Sequence, residues 1–187
     1  MRRTVLLICL CALALSLTGC KKARLRSQVK TLMESTITLP EKVTCVDNGH
    51  AYPMPDSLRS KAKLIVYVDT TECTTCRITH LGRYVKLFDL SREKGSFEVM
   101  LLLANVNLYG VPVIRYLSDL GMECAIYVDE DNSFLGQNPS IPNDQRLHAF
   151  FVDDAGTPLC IGDPSASESL FQVFLRAVEK LQTNDHS

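Results

Sequence analysis

The chain has 187 residues, of which 46% are hydrophobic and 22% are charged. This length and balance predict one folded domain with a buried core, and they exclude a disordered or fibrous chain. The 20 Lys and Arg residues nearly match the 21 Asp and Glu residues, so the net charge argues against a nucleic-acid partner. The eight cysteines are the informative excess, and their meaning depends on the compartment in which the protein folds.

Residues 1–19 have the pattern of a bacterial export signal. A basic start is followed by an apolar run from Thr4 to Leu17, which is shorter than the roughly 20 residues of a membrane-spanning helix. The run ends in Leu-Thr-Gly-Cys, and Cys20 resembles the cysteine of the bacterial lipobox, which is diacylated and then begins the mature chain. An ordinary secretory signal is the alternative interpretation.

Cleavage before Cys20 divides the chain into three parts. We predict a lipoprotein signal peptide at 1–19, a lipid-anchored tether at 20–35 and a folded domain at 36–182. The tether carries a basic cluster that either contacts anionic headgroups or simply keeps the tether soluble. The cluster comprises Lys21, Lys22, Arg24, Arg26 and Lys30.

The first predicted elements of the domain are weak. Gln28 to Ser35 has partial helical spacing, Thr36 to Cys45 alternates enough to predict an initial strand interrupted at Pro40, and the two prolines within His50 to Pro55 predict a loop.

Stronger patterns begin at Leu64. The apolar, β-branched run from Leu64 to Val68 predicts a strand buried on both faces. Apolar residues then recur at helical spacing from Ile78 to Phe88, and Gly95 ends that helix. A second buried strand is predicted at Phe97 to Leu103.

The remaining segments continue to alternate between strand and helix patterns. They are a helix from Pro112 to a stop at Gly121, a strand at Cys124 to Val128, a long loop at Asp129 to Asp144, a hairpin formed by His148 to Val152 and Pro158 to Ile161, and a last helix opened by a capping-box spacing at Ser165 to Glu168. This order predicts an α/β fold with both parallel and antiparallel strands.

The chemistry is concentrated at Cys73-Thr-Thr-Cys76, which lies between a buried strand and an amphipathic helix. The amide groups at the start of a helix stabilise a thiolate, which predicts Cys73 as an exposed nucleophile. Cys76, expected about one turn deeper, would resolve the mixed disulfide.

These segments resemble the thioredoxin-like superfamily, and in particular its exported TlpA/ResA-type members and thioredoxin-like lipoproteins of Gram-negative bacteria. The residues that carry the resemblance are Leu64 to Asp69, the CxxC motif, and the strand-turn-strand from His148 to Gly162. The resemblance covers about residues 36–182. It implies a thioredoxin-like fold with a mixed central sheet flanked by helices.

The resemblance also implies a function. The protein would be an envelope thiol-disulfide oxidoreductase that exchanges disulfides with protein thiols and a redox partner, with a redox-active disulfide and no other cofactor. Lys21 stands where inner-membrane retention signals carry Asp. The predicted location is therefore the outer membrane of a Gram-negative bacterium, facing the periplasm, through lipid on Cys20.

Three residues depart from the family pattern and are candidate modulators of the site. Glu72 precedes the first cysteine, and a carboxylate there opposes thiol ionisation. Leu147 occupies the position of the family's cis-proline, and the cost of a non-proline cis bond predicts a trans peptide there. His148 adjoins that position and either faces the cysteines or lies in the core or on the surface.

Two other functions use the same motif differently. Cys73, Cys76 and His80 could bind a soft metal such as Cu(I) or Zn(II), in a module like a copper chaperone, although an exposed or helix-packing histidine also explains His80. A non-catalytic thioredoxin-like interaction domain is the other alternative. Cys124 and Cys160 are predicted as small core residues, and a disulfide involving Cys45 stays open.

Overall fold

A computed structural model describes residues 22–184. The predicted signal peptide at 1–19 and the predicted lipidation site Cys20 lie outside these residues. Within the described range, no helix combines the length and the apolar character needed to cross a membrane.

The helices lie between and after the strands of an α/β domain. They are α1 (22–33), α2 (Asp56–Arg59), α3 (Thr74–Thr79), α4 (Val85–Lys94), α5 (Val113–Leu120), α6 (Phe134–Gln137) and α7 (Glu168–Asn184), with short 3₁₀ turns at Leu81–Tyr84 and Gln145–Leu147.

The strands are β1 (Val43–Asp47), β2 (His50–Pro53), β3 (Lys63–Val68), β4 (Glu98–Ala104), β5 (Asn107–Leu108), β6 (Val111–Pro112), β7 (Ile126–Asp129), β8 (Ala149–Val152) and β9 (Pro158–Ile161). Within residues 22–184, seven of them form one sheet in the order β2-β1-β7-β4-β3-β8-β9, and β5 and β6 form a separate ribbon. The predicted mixed sheet is confirmed.

Strand β3 organises the sheet. All six of its residues are buried, as its apolar, β-branched sequence predicts. It pairs in parallel with β4 on one side and antiparallel with β8 on the other. Because β4 also pairs in parallel with β7, the carboxyl ends of β3, β4 and β7 share one edge of the sheet.

Both faces of the sheet are covered, since alternate residues of β3 enter different clusters. Ile65 and Tyr67 pack on the face that also receives the fully buried Leu32 of α1. Leu64 and Val66 pack on the opposite face, where Phe97, Phe151 and Phe174 make edge-to-face ring contacts, the last of them from α7.

The amino-terminal part of the domain differs from its prediction. The segment predicted as a loop at His50 to Pro55 contains β2, which pairs antiparallel with a shortened first strand β1. The turn between them is Asn48-Gly49, with φ of 47° and 79°. Asn-Gly is a strong signal for a two-residue hairpin, so the sequence does carry a signal for β2. The prolines obscure it, because β2 is an edge strand in which a missing N–H is tolerated.

The predicted tether also contains more structure than its weak spacing indicates. Helix α1 covers residues 22–33, and Leu25, Val29 and Leu32 pack against the core. Four residues of the basic cluster, Lys22, Arg24, Arg26 and Lys30, therefore lie on a helix that is docked on the domain, whereas Lys21 lies outside the described residues.

Gly156 ties the β8–β9 turn to the chain preceding β1. Its carbonyl accepts a hydrogen bond from the Ile37 amide at 2.8 Å, and its φ is +83°. A Cβ atom at this position would lie 2.4 Å from the Ile37 carbonyl oxygen. Gly95, which ends α4, has a similar φ of +66°, but a Cβ atom there would meet no other atom within 4 Å.

The paired substitutions Gly156→Ala and Gly95→Ala separate these two effects. Both place a side chain at positive φ, which costs about 1–2 kcal/mol. Only Gly156→Ala adds a backbone clash, so we expect it to lower the free energy of unfolding by about 1–3 kcal/mol more than Gly95→Ala. Urea denaturation measures both, and equal losses would show that the close approach of Ile37 does not constrain the turn.

Candidate active site

The sequence motif Cys73-Thr-Thr-Cys76 lies just beyond the carboxyl end of β3. Cys73 and Cys76 form a disulfide with their Cα atoms 5.2 Å apart. Cys73 is the N-cap residue of α3, and both cysteines are exposed. Cys76, expected about one turn deeper, is thus exposed like Cys73.

Two donors surround the sulfur of Cys73. The Cys76 amide donates to Cys73 Sγ at 3.3 Å, and the Thr75 hydroxyl lies 3.5 Å from the same sulfur. Hydrogen bonds to a charged sulfur favour the thiolate over the thiol. The local fold thus offers Cys73 stabilisation in the state that attacks a disulfide.

Glu72 turns away from the disulfide and into the protein. Its side chain is 4% exposed, and its Oε2 accepts from the Arg77 guanidinium at 2.8 Å. Burial alone would raise the pKa of Glu72, but contacts with His148 and Arg77 outweigh burial and lower it. The Glu72 charge is therefore present but compensated, which weakens the predicted opposition to ionisation of Cys73.

His148 is placed beneath the CxxC loop rather than on the surface. Its side chain is 1% exposed, with Nδ1 lying 3.4 Å from Glu72 Oε1 and 3.8 Å from Asp69 Oδ2. On the other side of the ring, Nε2 lies 2.9 Å from the Pro142 carbonyl oxygen. Burial alone would lower the pKa of His148, but Glu72, the Pro142 carbonyl and Asp69 together raise it.

Asp69 completes this buried cluster, and sequence reasoning did not identify it as a site residue. Its Oδ1 accepts from the Thr71 amide and hydroxyl, each at 2.6 Å, and from the Glu72 amide at 3.1 Å. The available signal was an acidic residue directly after a strand buried on both faces. Asp69 thus shapes the loop that presents Cys73.

Arg77 was also missed. It lies one residue after the CxxC motif and links Glu72 to Tyr84, whose hydroxyl lies 3.2 Å from its guanidinium and donates to Asp163 at 3.1 Å. This chain of contacts ties the start of α3 to the segment between β9 and α7.

Leu147 ends a 3₁₀ turn at Gln145–Leu147, which the Asp144 side chain caps by accepting from the Arg146 amide. The Leu147 side chain is buried in the core. No peptide bond among residues 22–184 is cis, in agreement with the expected trans bond at Leu147.

His80 is exposed at the end of α3, and its Nδ1 lies 2.7 Å from the Cys76 carbonyl oxygen. Among residues 22–184, the group of three His, Cys, Asp or Glu side chains whose donor atoms lie within 4.8 Å of one another is Asp69, Glu72 and His148. The structure therefore does not gather Cys73, Cys76 and His80 into such a group.

The other described cysteines carry free thiols. Cys45 and Cys160 are buried and Cys124 is partly exposed. Burial raises the pKa of all three thiols, that of Cys160 to about 11. The predicted core role of Cys160 is consistent with its place among the aromatic residues of α7 and β8.

Neither a protein-family model nor a curated protein sequence matches the chain. Among solved structures it is similar to thioredoxin peroxidase I of Plasmodium yoelii, with a TM-score of 0.51 and 13% identity over 81% of this chain and 93% of that one. It is also similar to AhpC of Enterococcus faecalis, with a TM-score of 0.50 and 12% identity over 80% and 92% of the two chains. A third similarity is to the thioredoxin domain of a thiol-disulfide oxidoreductase from Bacteroides vulgatus, with a TM-score of 0.46 and 12% identity over 74% and 96%.

At these identities the first two similarities establish a shared fold. Together with the mixed sheet, they show that the domain has a thioredoxin-like fold, as the sequence resemblance implied. The activity has to be argued from the site itself.

The burial of the free thiols predicts an order of alkylation in the reduced, native protein. At about pH 8, a thiol whose pKa is near 11 is thiolate in only about 1 molecule in 1,000. Iodoacetamide should therefore label Cys73, Cys76 and Cys124 well before Cys45 and Cys160, as read by peptide mass spectrometry. In urea the five should react at similar rates, and native labelling of Cys160 as fast as Cys124 would contradict the structure.

Proposed function

We propose that the protein is a thiol-disulfide oxidoreductase that acts on protein thiols and disulfides through Cys73 and Cys76. The observation that carries the proposal is the exposed Cys73–Cys76 disulfide at the start of α3, in the loop that follows the buried strand β3 of a thioredoxin-like sheet. No bound cofactor is needed, because the sulfur pair itself gains and loses the two electrons.

In the reducing direction, the Cys73 thiolate attacks one sulfur of a partner disulfide. A mixed disulfide forms and the partner's other sulfur leaves as a thiolate. The Cys76 thiolate then attacks Cys73 Sγ, which restores the Cys73–Cys76 disulfide and releases the second partner thiolate. Oxidation of a partner dithiol follows the same steps in reverse.

Cys73 is assigned as the nucleophile because it receives the local stabilisation. The Cys76 amide and the Thr75 hydroxyl both face its sulfur, whereas the Glu72 carboxylate, although adjacent in sequence, is turned inward and paired with Arg77. Cys76 is three residues further along and within bonding distance, as a resolving cysteine must be.

A protein partner is supported by the surface beside the motif. The β5–β6 ribbon follows β4 at the sheet edge that carries the CxxC loop, and Leu108 of the ribbon belongs to the same core cluster as Ile78 of α3. The next residue, Tyr109, is 83% exposed and has a positive φ of 52°. Exposed aromatic rings of this kind are enriched at protein interfaces.

The proposed location is the cell envelope, where disulfide exchange has substrates. The export signal at 1–19, the lipobox-like Cys20 and Lys21 support a lipid anchor in the outer membrane facing the periplasm. The basic residues of α1 would then lie close to the headgroups.

Single substitutions of the two cysteines test the assigned roles. Cys76→Ser should accumulate a mixed disulfide with a partner, because attack proceeds without resolution. Cys73→Ser should form none and should reduce insulin with dithiothreitol only at the uncatalysed rate. Non-reducing electrophoresis and the insulin assay report these outcomes, with Cys124→Ser as a cysteine control of unchanged rate. Exchange at the normal rate in both variants would instead favour a non-catalytic interaction domain.

Lipidation is tested separately at Cys20. Cells given a radiolabelled fatty acid should incorporate it into the wild-type chain and not into Cys20→Ser. The substituted chain should also move from the membrane fraction to the soluble fraction. Cys11→Ser, which changes a cysteine inside the predicted signal, is the control and should retain the label. Labelling of Cys20→Ser would contradict the lipobox assignment.

A further inference from the structure

Asp69, Glu72 and His148 form a compact group of oxygen and nitrogen donors beneath the CxxC loop. One donor atom from each lies within 4.8 Å of the others. The His148 side chain is 1% exposed, and the Glu72 and Asp69 side chains are 4% and 10% exposed. Two carboxylates held this closely in a buried site favour a positive group between them, either a protonated His148 or a bound cation.

The ring orientation of His148 shows which of its nitrogens is available. A backbone carbonyl can only accept, so the contact of Nε2 with the Pro142 oxygen requires Nε2 to carry a hydrogen and donate it. The other nitrogen, Nδ1, faces the two carboxylates and makes no hydrogen bond of acceptable geometry, although it lies 3.4 Å from Glu72 Oε1. In the neutral ring, Nδ1 therefore presents a lone pair to the centre of the group.

Each of the three side chains is held from outside through its other polar atom. Asp69 Oδ1 is occupied by the Thr71 and Glu72 donors, which leaves Oδ2 facing His148. Glu72 Oε2 accepts from Arg77, which leaves Oε1 facing His148. Oε1 also accepts a long hydrogen bond of 3.4 Å from the Asp69 amide. Hydrogen bonds of this kind orient the ligands of metal sites in proteins. A metal-binding histidine frequently donates its other ring N–H to a backbone carbonyl.

The spacing of the free atoms also suits a metal ion. Two ligands about 2.1 Å from one ion at a tetrahedral angle are about 3.4 Å apart. The distances from Nδ1 to Glu72 Oε1 and Asp69 Oδ2 are 3.4 and 3.8 Å, and all three donor atoms of the group lie within 4.8 Å of one another, so the side chains would draw together around an ion. Two carboxylates supply the charge that neutralises a divalent cation, and the mixture of oxygen and imidazole nitrogen suits first-row metals.

From these observations we propose that Asp69, Glu72 and His148 form a binding site for one divalent first-row metal ion. This site is distinct from a thiolate site at Cys73 and Cys76, and it exists while those cysteines are joined in a disulfide. The ion would bind through Asp69 Oδ2, Glu72 Oε1 and His148 Nδ1.

Zn²⁺ titration of the oxidised full chain by isothermal calorimetry tests the proposal. Accessible thiols are first capped with N-ethylmaleimide, so that the disulfide and the caps exclude binding by exposed sulfur. We expect one Zn²⁺ per chain and a rise in melting temperature with Zn²⁺ concentration. Absence of saturable binding would overturn the proposal.

The variants identify the ligands. His148→Ala and Asp69→Asn should each weaken Zn²⁺ binding by roughly 100-fold or more, at least as much as loss of an outer partner costs. The matched control is His80→Ala, which removes an exposed histidine near the same motif and should leave the affinity unchanged. Circular dichroism checks that each variant is folded. If His148→Ala does not fold, Asp69→Asn still tests the site, because this substitution preserves the size of the side chain.

Binding that survives in folded Asp69→Asn, or that is lost in His80→Ala, would overturn the assignment. The insulin assay distinguishes this proposal from the proposed activity. Wild-type exchange without Zn²⁺ binding would reject only the metal site, and Zn²⁺ binding without exchange would reject only the oxidoreductase.

Discussion

The antiparallel pairing of β3 with β8 is the constraint on which the candidate site depends. It places the end of β3, and therefore the CxxC loop, beside the start of β8. The Tyr67 amide donates to the His148 carbonyl at 2.8 Å, which continues the ladder to the edge of the sheet. Since both faces of β3 are packed, a one-residue slip would exchange the side chains that fill the two core clusters and would break the packing of both. The side chains of Asp69, Glu72 and His148 meet as a consequence.

The cluster of Asp69, Glu72 and His148 beneath the motif contains charged groups whose separation would destabilise the fold. Removal of one partner from a buried pair leaves the other without compensation, which is more destabilising than the pair is stabilising. Arg77 connects this cluster to more distant residues, because it contacts Glu72 and Tyr84 and lies 3.9 Å from Asp163. The surface disulfide thus rests on a network that reaches the loop before α7, so the geometry of the motif is linked to the packing of the carboxyl-terminal helix.

Local patterns are sufficient to predict the elements that frame the motif. The apolar run of β3, the glycine at the end of α4 and the CxxC spacing each depend on a few adjacent residues, and each prediction matches the structure. The hairpin β1–β2 is also encoded locally, in Asn48-Gly49, but two prolines obscure it.

The buried cluster cannot be predicted in the same way. His148 meets Asp69 only through strand pairing, and whether a histidine beside a strand faces inward depends on the 3₁₀ turn before it. The helix predicted after the motif is also interrupted, since α3 ends at Thr79 and a 3₁₀ turn at Leu81–Tyr84 precedes α4.

Helix α1 has a mechanical consequence for an anchored protein. The helix is present from residue 22 and is docked on the core through the fully buried Leu32. If Cys20 carries lipid, a single residue separates the lipidated position from this docked helix. The domain would then have almost no flexible linker to the membrane. It would then move with the bilayer and meet its partners by lateral diffusion rather than by reaching into the surrounding volume. Membrane residence, as much as affinity at the disulfide, would decide which proteins it encounters.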